Sequence, residues 1–334
     1  MKAFRIGATL LATLAVTGCA SLGQALASMA EASATPAVGY RIVVPATVTE
    51  ATRAQMVERL GRADVVFFGE QHDDPETHRA EAEVLDAIGR NGRPVVLSLE
   101  MFERDVQGVV DDYLAGRLSE KDFLARARPW DRYATDYRRL IELAKERHWP
   151  VVAANVPRSL ASAIGRKGLA ALDTLAPKDR SNAARENVCP KDDYHARFLE
   201  SMQSHSPGAG PATPATPTAV SAPPVPAAPT VDSLPTAVAE RFYLAQCVKD
   251  DTMAESIVNA RLAAPRDAIV VHFDGAFHSD YSQGTVARVK RRQPGWTLGV
   301  VSAVPVADPA VAPIITHSGK ADFVIFTRRP ARRP

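Results

Sequence analysis

The sequence predicts an α/β fold in which a mostly parallel central sheet is covered by helices on both faces. Short apolar runs rich in Val, Phe and Ile alternate with longer, charged segments of helical character. The apolar runs lack the polar–apolar alternation of a half-exposed strand, so each is expected to be buried on both faces.

The expected strands are short and apolar, and they lie at 65–68, 95–99, 151–154, 268–273, 297–304 and 322–327. The expected helices lie between them, at about 76–90, 105–115, 120–127, 136–147, 190–203 and 237–262. In the last of these helices, apolar residues recur near one face, which is typical of an amphipathic helix.

The first residues have the composition of an export signal. Lys2 and Arg5 precede an apolar run at 6–16, which is too short to span a bilayer and ends in Val-Thr-Gly-Cys. This pattern resembles the lipobox at which bacterial lipoproteins are diacylated and cleaved; a chance cysteine near an ordinary cleavage site is the alternative. We therefore expect a signal peptide at 1–18 and lipidation of Cys19.

The residues after the cysteine indicate where the anchor lies. Ala20 stands where an Asp typically retains lipoproteins in the inner membrane, which favours an outer-membrane lipoprotein facing the periplasm. Residues 20–39 are mostly small or Pro, with Glu31 as their single charge, so a flexible tether is expected at 19–39. Acyl chains contribute about 0.8 kcal/mol per buried methylene, so two or three chains form a stable anchor.

The charge balance argues against a nucleic-acid partner. Removing the signal takes away two positive charges and no negative ones, so the net charge of +2 becomes 2 − 2 = 0. A neutral chain lacks the basic footprint typical of proteins that bind nucleic acid.

A Pro-rich segment at 206–235 interrupts the folded part. It holds nine prolines among small residues, with Asp232 as its single charge, and we expect it to be a disordered insertion because it cannot bury enough apolar surface. A ligand for a proline-recognition module is the alternative. Cys189 and Cys247 flank the insertion, and two thiols in an oxidising compartment usually form a disulfide, although two buried unpaired thiols are the other interpretation.

Polar side chains follow four of the expected strands, where ligands of open parallel sheets bind. They are Glu70 and His72, Glu100, Asn155 and Arg158, and His278. A glycine stands three residues before each of the two histidines, so that the backbone can turn sharply off the strand. We therefore expect one site that brings these residues together.

Imidazole and carboxylate are ligands of divalent metals, and a free carboxylate beside a metal can act as a general base. His72, Glu100 and His278 are the candidate metal ligands, and Glu70 and Arg158 complete a candidate catalytic set. Either histidine alone would also suit a hydrogen-bonded turn. Glu100 directly follows an apolar strand, where a carboxylate needs a partner.

The remaining histidines are interpreted as structural or solvated. They include His78, in a charged helix, and His272, inside an apolar strand. The basic runs 288–292 and 328–333 are interpreted as solvated faces or as a tail that touches anionic head groups.

These motifs resemble those of the ChaN-type haem-binding lipoproteins, within the superfamily of Tiki, TraB and erythromycin esterase proteins. The matching stretches, over about 60–280, are VVFFGEQHDDPETH, VVLSLEMFERDVQ, PWDRYATDYRRLIELAKERHWPVVAANVPR, YLAQCVKDDTMAESI and VVHFDGAFHSDY. The resemblance implies a single domain over 40–330, interrupted by the insertion. It also implies that Glu70, His72, Glu100 and His278 are the site residues.

ChaN-type proteins hold two stacked haems in a dimer interface, with a tyrosine on each iron and a histidine that assists. The resemblance therefore implies haem as cofactor and a homodimer. The candidate residues are Tyr133 and Tyr137, or Tyr194 beside His195. A tyrosinate favours ferric haem, and an adjacent histidine can donate to a propionate. The alternatives are a core role for the first pair and a helix-surface role for the second.

The expected function is a lipid-anchored, haem-binding lipoprotein that contributes to haem and iron uptake. Tiki proteins share these motifs and act as metal-dependent peptidases, so the enzymatic alternative is a metal-dependent hydrolase that uses both Gly-x-x-His motifs. A scaffold lipoprotein that binds partners through its Pro-rich insertion is a third hypothesis. The sequence leaves the metal and the substrate open.

The anchor can be tested with one substitution. Cys19→Ala should abolish lipid labelling and release the protein from membranes, because lipidation of Cys19 is the only anchor that the sequence predicts. Metabolic labelling with a fatty acid and fractionation at high salt measure both effects. A mutant protein that stays with the membrane would show that the anchor lies elsewhere.

Overall fold

A single sheet of eight strands organises residues 39–204 and 236–329, which are the residues that this computed structural model describes. The strand order is β2-β1-β8-β7-β3-β6-β4-β5. β1 is antiparallel to β2 and β8, and the other neighbouring pairs are parallel. The strands are β1 Tyr40–Val44, β2 Thr49–Ala51, β3 Val65–Glu70, β4 Val95–Glu103, β5 Val151–Asn155, β6 Ile269–Gly275, β7 Leu298–Val306 and β8 Phe323–Arg328.

The helices connect these strands. They are α1 Arg53–Leu60, α2 Pro75–Gly89, α3 Gln107–Leu114, α4 Glu120–Ala127, α5 Arg138–Glu146, α6 Arg158–Lys167, α7 Pro177–Arg180, α8 Asp193–Ser204, α9 Thr236–Ala263 and α10 Gly284–Arg292. A π-helical turn at Tyr133–Tyr137 leads into α5. No helix of the described residues is both long enough and apolar enough to cross a membrane.

The predicted fold class is confirmed, since the sheet is mostly parallel and helices pack on both of its faces. Val65 and Phe67 of β3 pack in a cluster with residues of α9 and α10. Val66 lies on the opposite face of the sheet, beside Gly299 of β7 and Leu60 of α1. Alternate residues of one strand therefore meet different helical layers.

Helix α2 starts where the sequence provides a strong cap. The Asp74 carboxylate accepts a hydrogen bond from the backbone N–H of Thr77, and Pro75 occupies the first turn. The same carboxylate accepts from the Thr327 hydroxyl of β8 at 2.6 Å. This contact ties the start of α2 to the sheet just beyond the end of β3.

The crossover order places the two Gly-x-x-His units side by side. Strand β6 lies between β3 and β4, and in the parallel register Gly69 pairs with Asp274 and Glu70 with Gly275. Segments about two hundred residues apart in the chain thus leave the sheet at neighbouring points of the same edge.

Several predicted features lie outside the described residues, namely the signal peptide, Cys19, the tether, the Pro-rich insertion and most of the basic run 328–333. The interpretation of 288–292 as a solvated face was wrong for Arg288, whereas Lys290 and Arg291 are exposed. These residues belong to α10, where Arg288 is buried and Arg291 and Arg292 each lie 2.9 Å from one carboxylate oxygen of Asp251. The basic run therefore binds a buried carboxylate of α9.

The predicted disulfide is present. Cys189 and Cys247 are bonded, with their Cα atoms 5.6 Å apart, within the range that a bridge allows. The bridge joins the segment before α8 to the middle of α9, and it closes a loop with a sequence separation of 58 residues.

Cys247→Ser should lower the free energy of unfolding by roughly 4 kcal/mol under oxidising conditions, because the unfolded chain gains the entropy of the opened loop. Chemical denaturation measures the loss. In excess reductant, the wild type and the mutant should be nearly equally stable. Equal stability without reductant would contradict a stabilising role for the bridge.

Candidate functional site

The first half of the site forms where β3 ends. Glu70 is fully buried, and one of its carboxylate oxygens, Oε1, accepts hydrogen bonds from His72 Nδ1 and, at 2.8 Å, from the Tyr137 hydroxyl. Burial alone would raise the pKa of Glu70, but the hydrogen bond from His72 and the adjacent His78 imidazole lower it to about 2. Glu70 is thus a buried anion surrounded by donors.

His72 is the exposed member of this group, with 47% of its side chain accessible. Burial of part of the ring lowers its pKa, but the hydrogen bond to Glu70 and the charge of Glu100 outweigh this and raise it. Because Nδ1 is bound to a carboxylate, Nε2 is the ring nitrogen left to bind a ligand.

A cavity of about 380 Å³ opens beside His72, and it is lined by His72, Trp130, Asp131, Arg132, Tyr137 and Arg158. The Trp130 indole meets the imidazole edge to face, with the ring centroids 4.8 Å apart. The Arg158 guanidinium lies 5.9 Å from the centre of the indole. The cavity therefore combines an imidazole, an aromatic wall and two arginines, and it includes Arg158 as the sequence suggested.

The second half of the site is a buried ion triad. His278 Nδ1 lies 2.7 Å from Asp250 Oδ1, and its Nε2 lies 3.4 Å from Glu100 Oε1. Burial alone would lower the pKa of His278, but the charges of Glu100 and Asp250 raise it to about 10. His278 is therefore an imidazolium with both ring nitrogens facing carboxylates.

Asp250 is a site residue that the sequence prediction missed. It lies in α9, fully buried, and also accepts hydrogen bonds from the Tyr194 hydroxyl at 2.7 Å and from Thr285 at 2.9 Å. A pair of adjacent aspartates inside a long helix was the available signal, and both of them are buried.

Gly275 is the point where the two halves meet. Its backbone N–H donates to Glu100 Oε2 at 2.7 Å. A Cβ at this position would lie 2.7 Å from His72 Nε2 and 3.7 Å from Glu100 Oε2. The lack of a side chain therefore lets the His72 imidazole close against the edge of β6.

The structure brings Glu70, His72, Glu100 and His278 to one edge of the sheet but gives them different environments. His72 faces the cavity, whereas His278 is buried and does not line it. Among the described residues, His72, Glu100 and His278 do not form a group whose ligand atoms all lie within 4.8 Å of one another. The three residues predicted to bind one metal ion are therefore not placed close enough together to share it.

The group that does converge contains His78, which the sequence prediction treated as structural or solvated. Ligand atoms of Glu70, His78 and Glu81 lie within 4.8 Å of one another, and all three side chains are buried. His78 lies on the inner face of α2 rather than in its charged outer surface. Burial would lower its pKa, but Glu70 and Glu81 raise it to about 11.

The candidate tyrosines for haem are all buried. Tyr137 donates to Glu70 and lines the cavity, Tyr194 donates to Asp250, and the Tyr133 hydroxyl has no hydrogen-bond partner among the described residues. His195 faces Glu240, with Nε2 at 3.1 Å from its carboxylate, so Tyr194 and His195 do not share a partner.

Of the seven tyrosines of the chain, only Tyr281 is exposed, with 44% of its surface accessible. It follows β6 and adopts a positive φ of 62°, which is uncommon for a residue with a side chain. The Arg197 guanidinium lies 5.2 Å and the Lys320 ammonium 5.4 Å from the centre of its ring. The sequence prediction missed this residue although it ends one of the matching motifs.

A family model described as haem-binding uptake, Tiki superfamily, ChaN matches residues 56–289. The chain belongs to this ChaN family. The matched range contains both Gly-x-x-His units, Glu70, Glu100, Asp250 and Tyr281.

Two solved structures resemble this ChaN-family chain. A Campylobacter jejuni structure described as cofacial haem binding to ChaN aligns with a TM-score of 0.60 at 14% identity, over 86% of this chain and 96% of that one. A Bacillus cereus protein aligns with a TM-score of 0.43 at 11% identity, over 83% and 92%. The first likeness supports the fold alone, given its identity. No curated protein sequence matches the chain.

The ion triad predicts a pH dependence of stability. Folded His278 keeps its proton up to about pH 10, whereas an unfolded histidine releases it near 6.5. Its contribution to stability is therefore complete below pH 6.5 and declines by up to about 1.4 kcal/mol per pH unit as the pH rises towards 10. In Asp250→Asn the decline should be shallower, because the pKa of His278 falls towards 6.5.

Urea denaturation from about pH 6 to 10 measures this dependence. Asp251→Asn is the matched control, since Asp251 is equally buried but pairs with Arg288, Arg291 and Arg292. It should destabilise the fold and keep the wild-type slope. His78, whose pKa is also raised, adds a decline of the same direction to the stability of the wild type and of both variants. Equal slopes in the wild type and Asp250→Asn would contradict the triad.

Proposed function

We propose that this ChaN-family protein binds haem at the carboxyl edge of its sheet, with His72 as an iron ligand. The observation that carries the proposal is the exposed His72 imidazole, whose Nδ1 is held by the buried Glu70 carboxylate. A second partner on the far nitrogen orients a metal-binding histidine and raises its basicity. Histidine with this support is a common axial ligand of haem iron.

The residues around His72 fit the other parts of a haem. Trp130 provides an aromatic wall for the porphyrin, and Arg158 and Arg132 provide cations for the propionates. Arg158 lies 3.4 Å from Glu103, and Arg132 pairs with Asp136, so both guanidinium groups are held in place at the cavity.

Tyr281 is the tyrosine that favours ferric iron in this proposal, because it is the one whose ring is exposed. The Arg197 guanidinium and the Lys320 ammonium lie beside its ring. His72 and Tyr281 follow the neighbouring strands β3 and β6. We propose that two copies associate through this edge, so that each haem is held between them, in keeping with the cofacial haem described for the Campylobacter jejuni protein.

In the same proposal, the protein is anchored through lipidated Cys19 to the outer membrane, faces the periplasm, and takes part in haem and iron uptake. The family description as haem-binding uptake supports the transport role. The enzymatic alternative requires His72, Glu100 and His278 to share a metal. The structure favours the binding function, because both ring nitrogens of His278 face carboxylates.

Titration of the purified protein with haemin tests the proposal. The wild type should show a saturable shift of the Soret band. His72→Ala should weaken haem binding at least about tenfold, since the loss of a ligand's outer-shell partner alone costs about that much at metal sites. His195→Ala is the control, because His195 pairs with Glu240 on α8 and α9. Loss of binding in His195→Ala but not in His72→Ala would place the haem elsewhere.

A second pair of variants separates the tyrosines. Tyr281→Phe should remove the tyrosinate-to-iron band from the visible spectrum, and Tyr133→Phe should leave it unchanged, since the buried Tyr133 hydroxyl has no hydrogen bond to lose. Sedimentation velocity with and without haemin measures the dimer. A haem complex that remains monomeric would contradict the shared site.

A further inference from the structure

We propose a second, buried site for a divalent transition cation, formed by Glu70, His78 and Glu81 behind the cavity. The imidazole nitrogen Nδ1 of His78 lies 2.9 Å from Glu81 Oε2 and 3.4 Å from Glu70 Oε2. One ligand atom from each side chain lies within 4.8 Å of the others, which is close enough for one ion to contact all three.

Two buried oxygens in this cluster lack partners. Glu70 Oε2 and Glu81 Oε1 have no hydrogen bond within the described part of the chain, and both side chains are completely inaccessible to solvent. Buried polar atoms are nearly always paired, and an absent ion is one of the few explanations for an orphan. Glu70 Oε2 faces His78, so the orphan points into the cluster.

The other nitrogen of His78 indicates how its ring is oriented. Nε2 lies 3.2 Å from the backbone carbonyl of His72 and 3.4 Å from Asp136 Oδ2. Two acceptors on this side favour a proton on Nε2, which is the partner arrangement that supports metal-binding histidines. Without metal, Nδ1 carries a proton that pairs with the two carboxylates, and a bound cation would displace this proton and take its place between them.

The donor set selects the kind of ion. One imidazole and two carboxylates suit Zn²⁺, Mn²⁺ or Fe²⁺, whereas an all-oxygen set would suit Mg²⁺ or Ca²⁺. The set contains neither His72 nor His278, so the site is distinct from the proposed haem ligand. The competing occupant is a proton shared by the two carboxyl groups, which metal analysis distinguishes.

The experiment uses the untagged protein, stripped with a chelator and free of haem, and Zn²⁺ as the probe. Equilibrium dialysis with elemental analysis should find one equivalent of zinc in the wild type. Glu81→Gln should weaken zinc binding at least about tenfold. Glu83→Gln is the control on the same helix, because its carboxylate pairs with Arg53 and Arg79 at the surface.

Two further measurements complete the test. His72→Ala should still bind one equivalent, which separates this site from an exposed imidazole, and zinc should raise the Tm of the wild type but not of Glu81→Gln. X-ray absorption of the wild type should show one imidazole and oxygen ligands, and it remains informative if Glu81→Gln fails to fold. No bound zinc, equal binding by Glu81→Gln, or a zinc lost in His72→Ala would overturn the proposal.

Discussion

The burial of the Glu70 carboxylate at the end of β3 is the constraint on which the site depends. An isolated carboxylate in this position would be very costly, since its hydration is lost. The cost is offset by hydrogen bonds from His72 after the strand and Tyr137 before α5, and by the nearby His78 imidazole of α2. Satisfying one anion therefore fixes the positions of these elements relative to the edge of the sheet.

A second buried anion is satisfied in a similar way on the neighbouring strand. Glu100 of β4 accepts from the backbone of Gly275 and lies beside the His278 imidazolium, which Asp250 holds from the other side. The two systems meet at Gly275, where only a glycine leaves room for the His72 ring. The fold thus pairs an exposed histidine on a buried anion with a buried histidine between two anions.

The strand-end rule accounts for what the sequence could predict. Glu70 and Glu100 end the apolar parts of β3 and β4, and His72 follows β3, so these three residues could be assigned to the sheet edge without coordinates. The surroundings of each of these side chains could not be predicted, because they depend on which residue from a distant part of the chain lies against it. Asp250 approaches His278 from a helix, and no local pattern in the sequence records that contact.

His78 and Tyr281 show two other limits. Charged neighbours on the outer face of α2 suggested a solvated helix, yet Thr77, Glu81, Val84 and Ile88 form its buried stripe, so a glutamate stands on an apolar face. That placement was a usable signal. The exposure of Tyr281 has no such signal, because it follows from a turn with positive φ after β6 rather than from periodicity.

The two oxygens of Glu70 link the two proposed sites. Oε1 holds His72 and Tyr137 at the cavity, while Oε2 faces His78 in the buried cluster. A cation on Oε2 withdraws charge from the carboxylate, so Oε1 becomes a weaker acceptor for His72 and the imidazole a less basic ligand. Because linkage is reciprocal, iron bound at His72 would in turn change the affinity of the buried site. If both proposed sites are occupied, this one buried carboxylate, with a different partner on each oxygen, would couple them.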